Sequence, residues 1–317
     1  MKKKLVIALS AIGLLGSQVL EAKQTKSPLL PNFFKNYYVT ALYSYRTFDY
    51  DSSQEGNFNR YHGHTNLYGL GGNNFEINES WTAGVFAFKT FTNVSSAVSL
   101  GAEPLSLAQQ TIRADSIYGD LLRRVTDNFY VDFSAGRTDN KISYNNQLLY
   151  SASTQVSAGN NTGYNWFAMV SGYLAQVYKE FMVREDVRSM YSYAFQNAYK
   201  VNYSPFDFMQ DVPLFSNRSL FFMEDIEVTW TKNMRWQPYV NAGLLQVARY
   251  KNSNNTQPII AVGPIPEFNL DQNGYTLGGG LSYSNDPYTV RLDYMHFVRG
   301  SVFDSDQVTV SFRVKMD

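Results

Sequence analysis

The sequence predicts an all-β protein, a transmembrane antiparallel up-and-down β-barrel of about twelve strands. Three observations lead to this prediction. Apolar and polar side chains alternate along extended segments, Tyr and Phe occur 24 and 22 times in 317 residues, and the chain contains no cysteine. Aromatic residues favour strands and collect where apolar and aqueous regions meet. Without disulfide bonds, strand pairing and packing alone must stabilise the fold.

The first residues predict export. Three lysines at positions 2–4 precede an apolar run over 5–15, and Ala22 is a suitable last residue before a cleavage point. This order is typical of a secretory signal peptide. The apolar run is too short for a membrane-spanning helix, which needs ~20 residues. The predicted organisation is a signal peptide over 1–22, a short periplasmic or lumenal segment over 23–35, and the barrel over 36–317.

Alternation along the chain places the strands. Between 181 and 201, odd positions carry mainly apolar and aromatic residues such as Val183 and Tyr191, and even positions such as Arg184 carry most of the charge. Successive side chains of a strand point to opposite faces, so this pattern predicts one apolar and one polar surface. The same analysis predicts strands near 36–50, 61–72, 80–92, 111–124, 129–141, 162–178, 181–201, 219–231, 236–250, 273–284, 287–300 and 306–316.

The connectors alternate between two kinds. Short turns are expected at 126–128, 179–180, 232–235 and 285–287, and long segments rich in Asn, Ser, Gly and Pro at 51–60, 93–110, 142–161, 202–218 and 251–272. Periplasmic turns and extracellular loops of outer-membrane barrels differ in this way. Lipid offers no hydrogen bonds to the backbone, and a closed sheet satisfies every amide without leaving an edge.

Charged residues with the parity of the inner face form the candidate site. They are Arg113, Asp115, Arg184, Asp186, Arg188, Asp225, Glu227, Arg291, Asp293, Arg299 and Arg313. Two interpretations remain open: ladders that neutralise each other along the wall, or a field that orients permeating ions or an internal plug. Glu224 has the parity of the outer face, where a charge costs ~2–4 kcal/mol at the midplane. It should therefore lie near the outer rim, or a bulge should reset the parity.

The three histidines give a weak signal for chemistry. His62 and His64 lie close to the first predicted outer loop, and two such residues alone are a poor metal site. A pairing of either with Asp49 or Asp51 at the rim would support a barrel hydrolase. His296 is expected in an aromatic girdle. The sequence therefore predicts no enzyme activity, no metal and no cofactor, with a hydrolase as the minor alternative.

Three segments carry a resemblance to a known family. The segment 238–243 (PYVNAG), the glycine-rich segment 278–283 (GGGLSY) and the alternating C-terminal strand are similar to the β-barrel translocator domain of autotransporters. Those barrels commonly end in an aromatic residue, whereas this chain ends in Lys315–Met316–Asp317. The resemblance implies a barrel over about 36–317 that stands alone, because 23–35 is too short to encode a passenger. It also implies that 306–317 contacts the barrel-assembly machinery.

These observations lead to an expected function. The chain is predicted to be a protein of the bacterial outer membrane, in contact with lipid and lipopolysaccharide, with a surface-contact or structural role. A passive pore for small solutes is the alternative. Lys and Arg balance Asp and Glu at 27 each, so nucleic acid is not expected as a partner. The apolar loop 258–266 either folds against the barrel mouth or contacts a partner protein.

Overall fold

The structure is a computed structural model that describes residues 37–54, 57–99, 105–205, 208–212, 214–252 and 272–316. The predicted signal peptide 1–22, the segment 23–35 and the apolar loop 258–266 lie outside these residues. Within the described ranges, no helix has the length and apolar character needed to cross a bilayer.

The described chain folds into β-strands. They are β1 (Tyr37–Gln54), β2 (Asn57–Asn78), β3 (Trp81–Ser99), β4 (Leu105–Arg124), β5 (Phe129–Leu149), β6 (Thr154–Tyr178), β7 (Phe181–Gln196), β8 (Tyr199–Tyr203), β9 (Phe208–Val212), β10 (Phe215–Trp230), β11 (Trp236–Asn252), β12 (Gly274–Asn285), β13 (Tyr288–Arg299) and β14 (Phe303–Met316). Twelve of them form one closed antiparallel barrel, and β8 and β9 form a separate hairpin. The predicted fold class and strand number are confirmed.

The barrel is closed by its first and last strands. Tyr37 pairs with Met316 at one end of the β1–β14 contact, and Tyr50 pairs with Phe303 at the other. Every other barrel strand pairs with its neighbour in the chain, except that β7 pairs with β10 across the inserted hairpin. Because the sheet has no edge, its backbone amides are paired without help from solvent.

An apolar belt surrounds the outside of the barrel. The exposed large apolar side chains include one from each barrel strand: Val39, Leu70, Val85, Ile117, Phe133, Val170, Val187, Ile226, Val240, Leu277, Leu292 and Val310. Polar residues of the opposite parity, such as Thr40, Ser44, Thr309 and Ser311, are buried on the inside. This distribution is the reverse of that in a water-soluble barrel, so the outer face is suited to lipid tails.

Several strands extend well past the belt. β2, β5 and β6 contain 22, 21 and 25 residues, whereas ~9–11 residues suffice to cross a membrane. Tyr37, Met316 and the short turns lie at one end, which is periplasmic in barrels of this kind, and the long strands project at the opposite, extracellular end. The loops predicted at 51–60, 93–110 and 142–161 are therefore largely strand. Their polar composition suggested loops, but paired strands outside lipid tolerate polar residues on both faces.

The hairpin β8–β9 corrects another prediction. The segment 181–201 was expected to be one strand, but β7 ends at Gln196 and the chain turns into the hairpin. Val201 and Tyr203 pack against Tyr144 and Leu148 on the inner face of the extracellular end of β5. Burial raises the pKa of Tyr203 to about 12. The hairpin is thus anchored over one side of the extracellular mouth.

Candidate functional site

A buried network of ion pairs covers one side of the lumen wall. On β7, β10 and β13, Glu227 accepts from the Nη2 atoms of Arg184 and Arg291, at 3.3 and 2.8 Å. Arg291 also reaches Asp293 through Nε at 2.8 Å. The side chains of Arg184, Glu227 and Arg291 are each at most 9% exposed. One carboxylate on β10 therefore compensates two arginines on β7 and β13, which have three strands between them.

A second part of the network centres on Arg188. Its guanidinium pairs with Asp225 on the neighbouring strand β10 and with Asp186 on its own strand at 3.4 Å. Both groups of ion pairs run along the wall and connect strands that are close in the barrel. Charge is consequently neutralised locally, which leaves little field to orient an ion in transit.

Glycines of the motif segments make room for this network. The guanidinium of Arg291 lies 3.8 Å from the ring centroid of Tyr239. The Tyr239 hydroxyl donates to Leu292 O at 3.2 Å and contacts the carboxylate of Asp293. A Cβ atom on Gly280 would collide with the Tyr239 hydroxyl, and one on Gly243 would collide with Asp225. Glycine in these strands therefore allows close approach of neighbouring side chains.

Arg299 and Arg313 also lie on the inner face. Arg299 donates from Nε to Gln272 O at 3.0 Å, and its guanidinium lies 5.4 Å from the Phe221 ring centroid. Arg313 lies 5.4 Å from the centroid of Tyr38. Both guanidinium groups are buried beside aromatic rings, an arrangement that stabilises a cation with limited access to water.

Arg113 and Asp115 were expected in the lumen, and the structure places them on the outer face. They share the parity of the exposed Ile117, whereas Ile112 and Ala114 between and beside them are buried. The prediction failed because it assumed that the apolar side of every strand faces lipid. At the extracellular end this relation is reversed: the inner face carries apolar side chains and the outer face meets water or lipid headgroups.

Three inner-face charges were missed. Arg46 on β1 is 2% exposed and donates to Ser305 Oγ from Nε at 3.1 Å and from Nη2 at 2.8 Å. Asp120 on β4 and Asp132 on β5 are buried on the opposite side of the lumen. Parity within β1 could have identified Arg46, since it alternates with the apolar Tyr43 and Tyr45. No comparable signal marked Asp120, because both faces of β4 carry apolar residues.

The inner face is apolar towards the extracellular end. One buried cluster contains Leu42, Leu67, Phe88, Tyr118, Phe167, Met169, Met190, Phe221 and Met223. A second contains Phe48, Tyr50, Tyr61, Val94, Ile112, Ala114, Ile142, Ala194, Phe297 and Phe303. The lumen wall thus has an ionic region on β7, β10 and β13 and an extensive apolar region, whereas lumens that conduct ions are usually polar.

Two glutamates lie on the apolar belt. Glu224 is exposed on the outer face between Phe222 and Ile226, and a bulge at Leu220 in the pairing with β11 does not move it inside. Glu185 has the same orientation on β7, where it is paired with Ile226. Both expected explanations for Glu224, the outer rim and a parity reset, are therefore wrong.

The extracellular rim carries the histidines. His62 Nδ1 lies 2.6 Å from Asp49 Oδ1, the rim pairing anticipated for a hydrolase, and Ser95 is opposite His62 in the strand register. A cleft of about 670 Å³ is lined by all three residues. The side chains of His62 and Asp49 are 71% and 54% exposed, so water competes for their hydrogen bonds. The described hydrogen bonds link His62 to Asp49 and do not link it to Ser95.

A second histidine pair lies on the same rim, outside the apolar belt. His296 Nδ1 is 3.0 Å from Asp306 Oδ1, and the Tyr294 hydroxyl donates to the same oxygen at 2.6 Å. These hydrogen bonds hold the pKa of Asp306 below its usual range. Burial and the neighbouring Asp49 carboxylate raise the pKa of Asp304. Among the residues described, no three His, Asp or Glu side chains are arranged to hold a metal ion.

Comparison with solved structures identifies the class of fold. No protein-family model and no curated sequence matches the chain. The structure resembles the translocator domain of the autotransporter NalP from Neisseria meningitidis, with a TM-score of 0.67, 13% identity and coverage of 96% of this chain and 94% of that one. It also resembles the transport unit of the autotransporter AIDA-I from Escherichia coli, with a TM-score of 0.57, 9% identity and coverage of 97% and 99%.

A channel of another group shares the architecture. An outer-membrane channel from Pseudomonas putida F1 matches with a TM-score of 0.53, 8% identity and coverage of 89% of this chain and 96% of that one. At these identities the likeness concerns the fold. The chain therefore has the fold of an outer-membrane β-barrel of the autotransporter translocator type, as the sequence motifs predicted.

Proposed function

We propose that the protein is a non-enzymatic integral protein of the bacterial outer membrane with a surface-contact or structural role. The observation that carries this proposal is the extracellular end of the barrel. There the strands extend far beyond the apolar belt, and the hairpin β8–β9 packs against the inner face over part of the mouth. A long, paired strand surface presented to the exterior suits contact with other molecules, and a partly covered mouth restricts the passage of solutes.

Conductance in planar bilayers tests this proposal. The full chain should give no step-like openings. Replacing the hairpin anchors, with Val201→Asp and Tyr203→Asp in one variant, should release the hairpin and produce openings, because two carboxylates cannot remain buried without partners. Ser143→Asp, on the outer face of the same extracellular strands, is the matched control and should stay silent. Regular openings by the unmodified chain would contradict the proposal.

Because the chain contains no cysteine, single introduced cysteines can show which end of the barrel faces the cell exterior. Asn145→Cys lies at the extracellular end of β5, and Asn233→Cys lies in a turn at the opposite end. In intact cells, a membrane-impermeant maleimide should label the first variant and spare the second until the outer membrane is opened. Labelling of both, or of Asn233→Cys alone, would contradict the proposed orientation in the outer membrane.

Surface contact itself is tested with whole bacteria. Cells that display the full chain should adhere to a host-cell monolayer more strongly than cells with a shortened variant, in which 143–160 are replaced by a two-residue turn. The removed segment lies beyond the belt, so the shortened barrel should still insert. Equal adhesion, with equal surface amounts of both proteins, would leave only the structural role.

A passive pore is the second candidate, and the apolar lumen clusters favour it. Their aromatic and aliphatic lining would suit small apolar solutes better than ions, and one structure with this architecture is described as an outer-membrane channel. Uptake of a small apolar dye into liposomes that contain the protein distinguishes the two candidates. Faster uptake than by protein-free liposomes would favour the pore.

A rim hydrolase is the third candidate. If Asp49, His62 and Ser95 acted together, Ser95 would attack an ester carbonyl and His62 would accept its proton. A fluorophosphonate probe should then label Ser95, and Ser95→Ala should abolish labelling while Ser96→Ala, whose side chain faces inside, should not. We expect no labelling of the unmodified chain. The Asp49–His62 pair is open to water, and the described hydrogen bonds do not join His62 to Ser95.

A further inference from the structure

Two cations face each other on the outer face of the barrel. Arg113 on β4 and Lys141 on β5 are directly opposite in the strand register, and both side chains are exposed. Like charges in this position repel and destabilise a sheet. Among the described residues, the ion pairs of this surface include neither of them. The pair therefore has an excess of positive charge that a bound anion would compensate.

The nearby carboxylates have other partners. Asp115 lies 3.4 Å from the Nζ atom of Lys89, and Asp139 lies 2.9 Å from the Nη2 atom of Arg137. Four cations thus surround two carboxylates on the outer face of β3, β4 and β5. The local surplus remains on the Arg113–Lys141 pair, although the net charge of the whole chain is zero.

The height of the pair on the barrel indicates what surrounds it. Ile117 is 60% exposed on the apolar belt, and Arg137 is paired with both Ile117 and Trp166 at that level. Arg113 is four residues beyond Ile117 along β4. At ~3.3 Å per residue and a strand tilt of ~40°, Arg113 lies ~10 Å beyond Ile117 towards the extracellular end. For an apolar band ~25 Å tall, this places Arg113 at the outer edge of the belt, where the lipid headgroups begin.

We propose that Arg113 and Lys141 bind a phosphate group of lipid A, the phosphorylated glycolipid of the outer leaflet. A guanidinium binds two phosphate oxygens at once, and an ammonium adds a point charge. On either side in the register, Phe91 offers an apolar surface and Thr162 a hydroxyl, which suit an acylated sugar. This site is independent of the surface-contact role and requires only that the belt lies in the outer membrane.

The test uses the purified full chain in detergent micelles, titrated with bisphosphorylated lipid A and monitored by native mass spectrometry. Arg113→Gln with Lys141→Gln should raise the apparent Kd about tenfold, the value for two exposed charge contacts of ~0.7 kcal/mol each. Arg123→Gln with Arg235→Gln removes the same charge at the periplasmic end and should leave Kd unchanged. Equal Kd values for the wild type and the first variant, or equal weakening by the second, would overturn the proposal.

Two further lipids test whether Arg113 and Lys141 bind the phosphate groups of lipid A in particular. Dephosphorylated lipid A should bind the wild type as weakly as it binds the Arg113→Gln, Lys141→Gln variant, because the cations then have no phosphate to contact. Phosphatidylglycerol should bind the wild type at least several-fold more weakly than bisphosphorylated lipid A. Equal binding of phosphatidylglycerol would show a surface for any anionic headgroup and would overturn the assignment. Conductance and adhesion do not depend on this result, so each proposal fails separately.

Discussion

Glu227 is the residue on which the lumenal ion pairs depend most. It compensates Arg184 and Arg291, and its side chain is 4% exposed. Glu227→Gln keeps the shape and removes the charge, so two buried guanidinium groups lose their common counter-charge. We expect the free energy of unfolding to fall by about 3 kcal/mol. Urea titration of the barrel in liposomes measures the change, and Glu76→Gln, at an exposed position, should shift it by less than ~0.5 kcal/mol.

The two glutamates on the apolar belt should lower the free energy of unfolding, because each places a carboxylate among lipid tails. Within the described chain, neither Glu185 nor Glu224 has a hydrogen-bond or ion-pair partner. Glu224→Leu should therefore raise the free energy of unfolding from liposomes by about 1 kcal/mol, since acidic residues cost less at the midplane than the ~2–4 kcal/mol of basic ones. Glu79→Leu, in a turn outside the belt, is the control and should not stabilise. A loss of stability in Glu224→Leu would indicate that this face contacts a polar partner instead of lipid.

The rim carboxylates Asp304 and Asp306 should respond to pH in opposite ways. The pKa of Asp306 is lowered in the folded protein, so its charged form contributes stability above the unfolded value near ~4, and this contribution is lost as pH falls. The pKa of Asp304 is raised, so its charged form reduces stability at neutral pH and protonation relieves the loss. Asp306→Asn should lower the unfolding temperature at pH 7, and Asp304→Asn should raise it.

The same unfolding temperatures measured at low pH are the control for these two variants. Below both the folded and the unfolded pKa values, the wild-type carboxyl groups are neutral and resemble the asparagine side chains. The differences in unfolding temperature between each variant and the wild type should therefore shrink towards zero as the pH falls below the folded and unfolded pKa values of each group. A difference that persists in acid would have a packing origin.

At the scale of elements, the sequence located a segment for each of the twelve barrel strands, although both faces carry aromatic residues near 61–72, 80–92 and 162–178 and alternation is ambiguous there. Elsewhere alternation is clear, because a lipid-facing strand must be apolar on one side. It gave the inner orientation of Arg184, Asp186 and Arg188 on β7 for the same reason. It was insufficient at the extracellular end, where lipid no longer constrains the outer face. There Arg113 and Asp115 were assigned to the wrong side, and polar strand ends were interpreted as loops.

Contacts between strands that are distant in sequence could not be predicted. The pairing of Glu227 on β10 with Arg291 on β13 crosses two intervening strands, and glycines on the inner face of β12 leave room there for Tyr239 and Asn241 of β11. The glycine motifs were visible in the sequence, but their role appears only when Tyr239 and Arg291 are placed over them. The anchoring of the hairpin β8–β9 likewise depends on the curvature of the sheet, which period-two patterns do not encode.

Gly280 tests the role of glycine in packing β11, β12 and β13 together. Gly280→Ala places a methyl group against the backbone oxygen of Leu292 on β13 and against the Tyr239 hydroxyl, so β13 must shift and the Tyr239 ring must move. We expect a loss of about 1–3 kcal/mol in the free energy of unfolding, as for other overpacked sites. Gly119→Ala is the matched control, because its new Cβ would have its nearest neighbour at 3.7 Å. Equal effects of the two substitutions would show that only strand propensity had changed.

At the scale of the whole molecule, the membrane-spanning part and the extracellular part should differ in what they contribute to the fold. Within the belt, each backbone amide that loses its partner is surrounded by lipid and cannot bond to water. Beyond the belt, water replaces a lost partner. A substitution that removes one N–H group should therefore have consequences that depend on its height along the barrel axis.

Proline at two heights tests this difference, because proline lacks the N–H group that a strand ladder needs. Val310 lies on the belt in β14, paired with Tyr43 and Leu292, and Asn145 lies in the extracellular part of β5. In unboiled gel samples the wild-type barrel should migrate faster than after boiling. Val310→Pro should abolish this fast form, because the closing strand β14 cannot complete its hydrogen bonds in lipid. Asn145→Pro should retain it. Loss of the fast form in both variants would mean that the long strands are required for closure and do not merely project from a self-sufficient barrel.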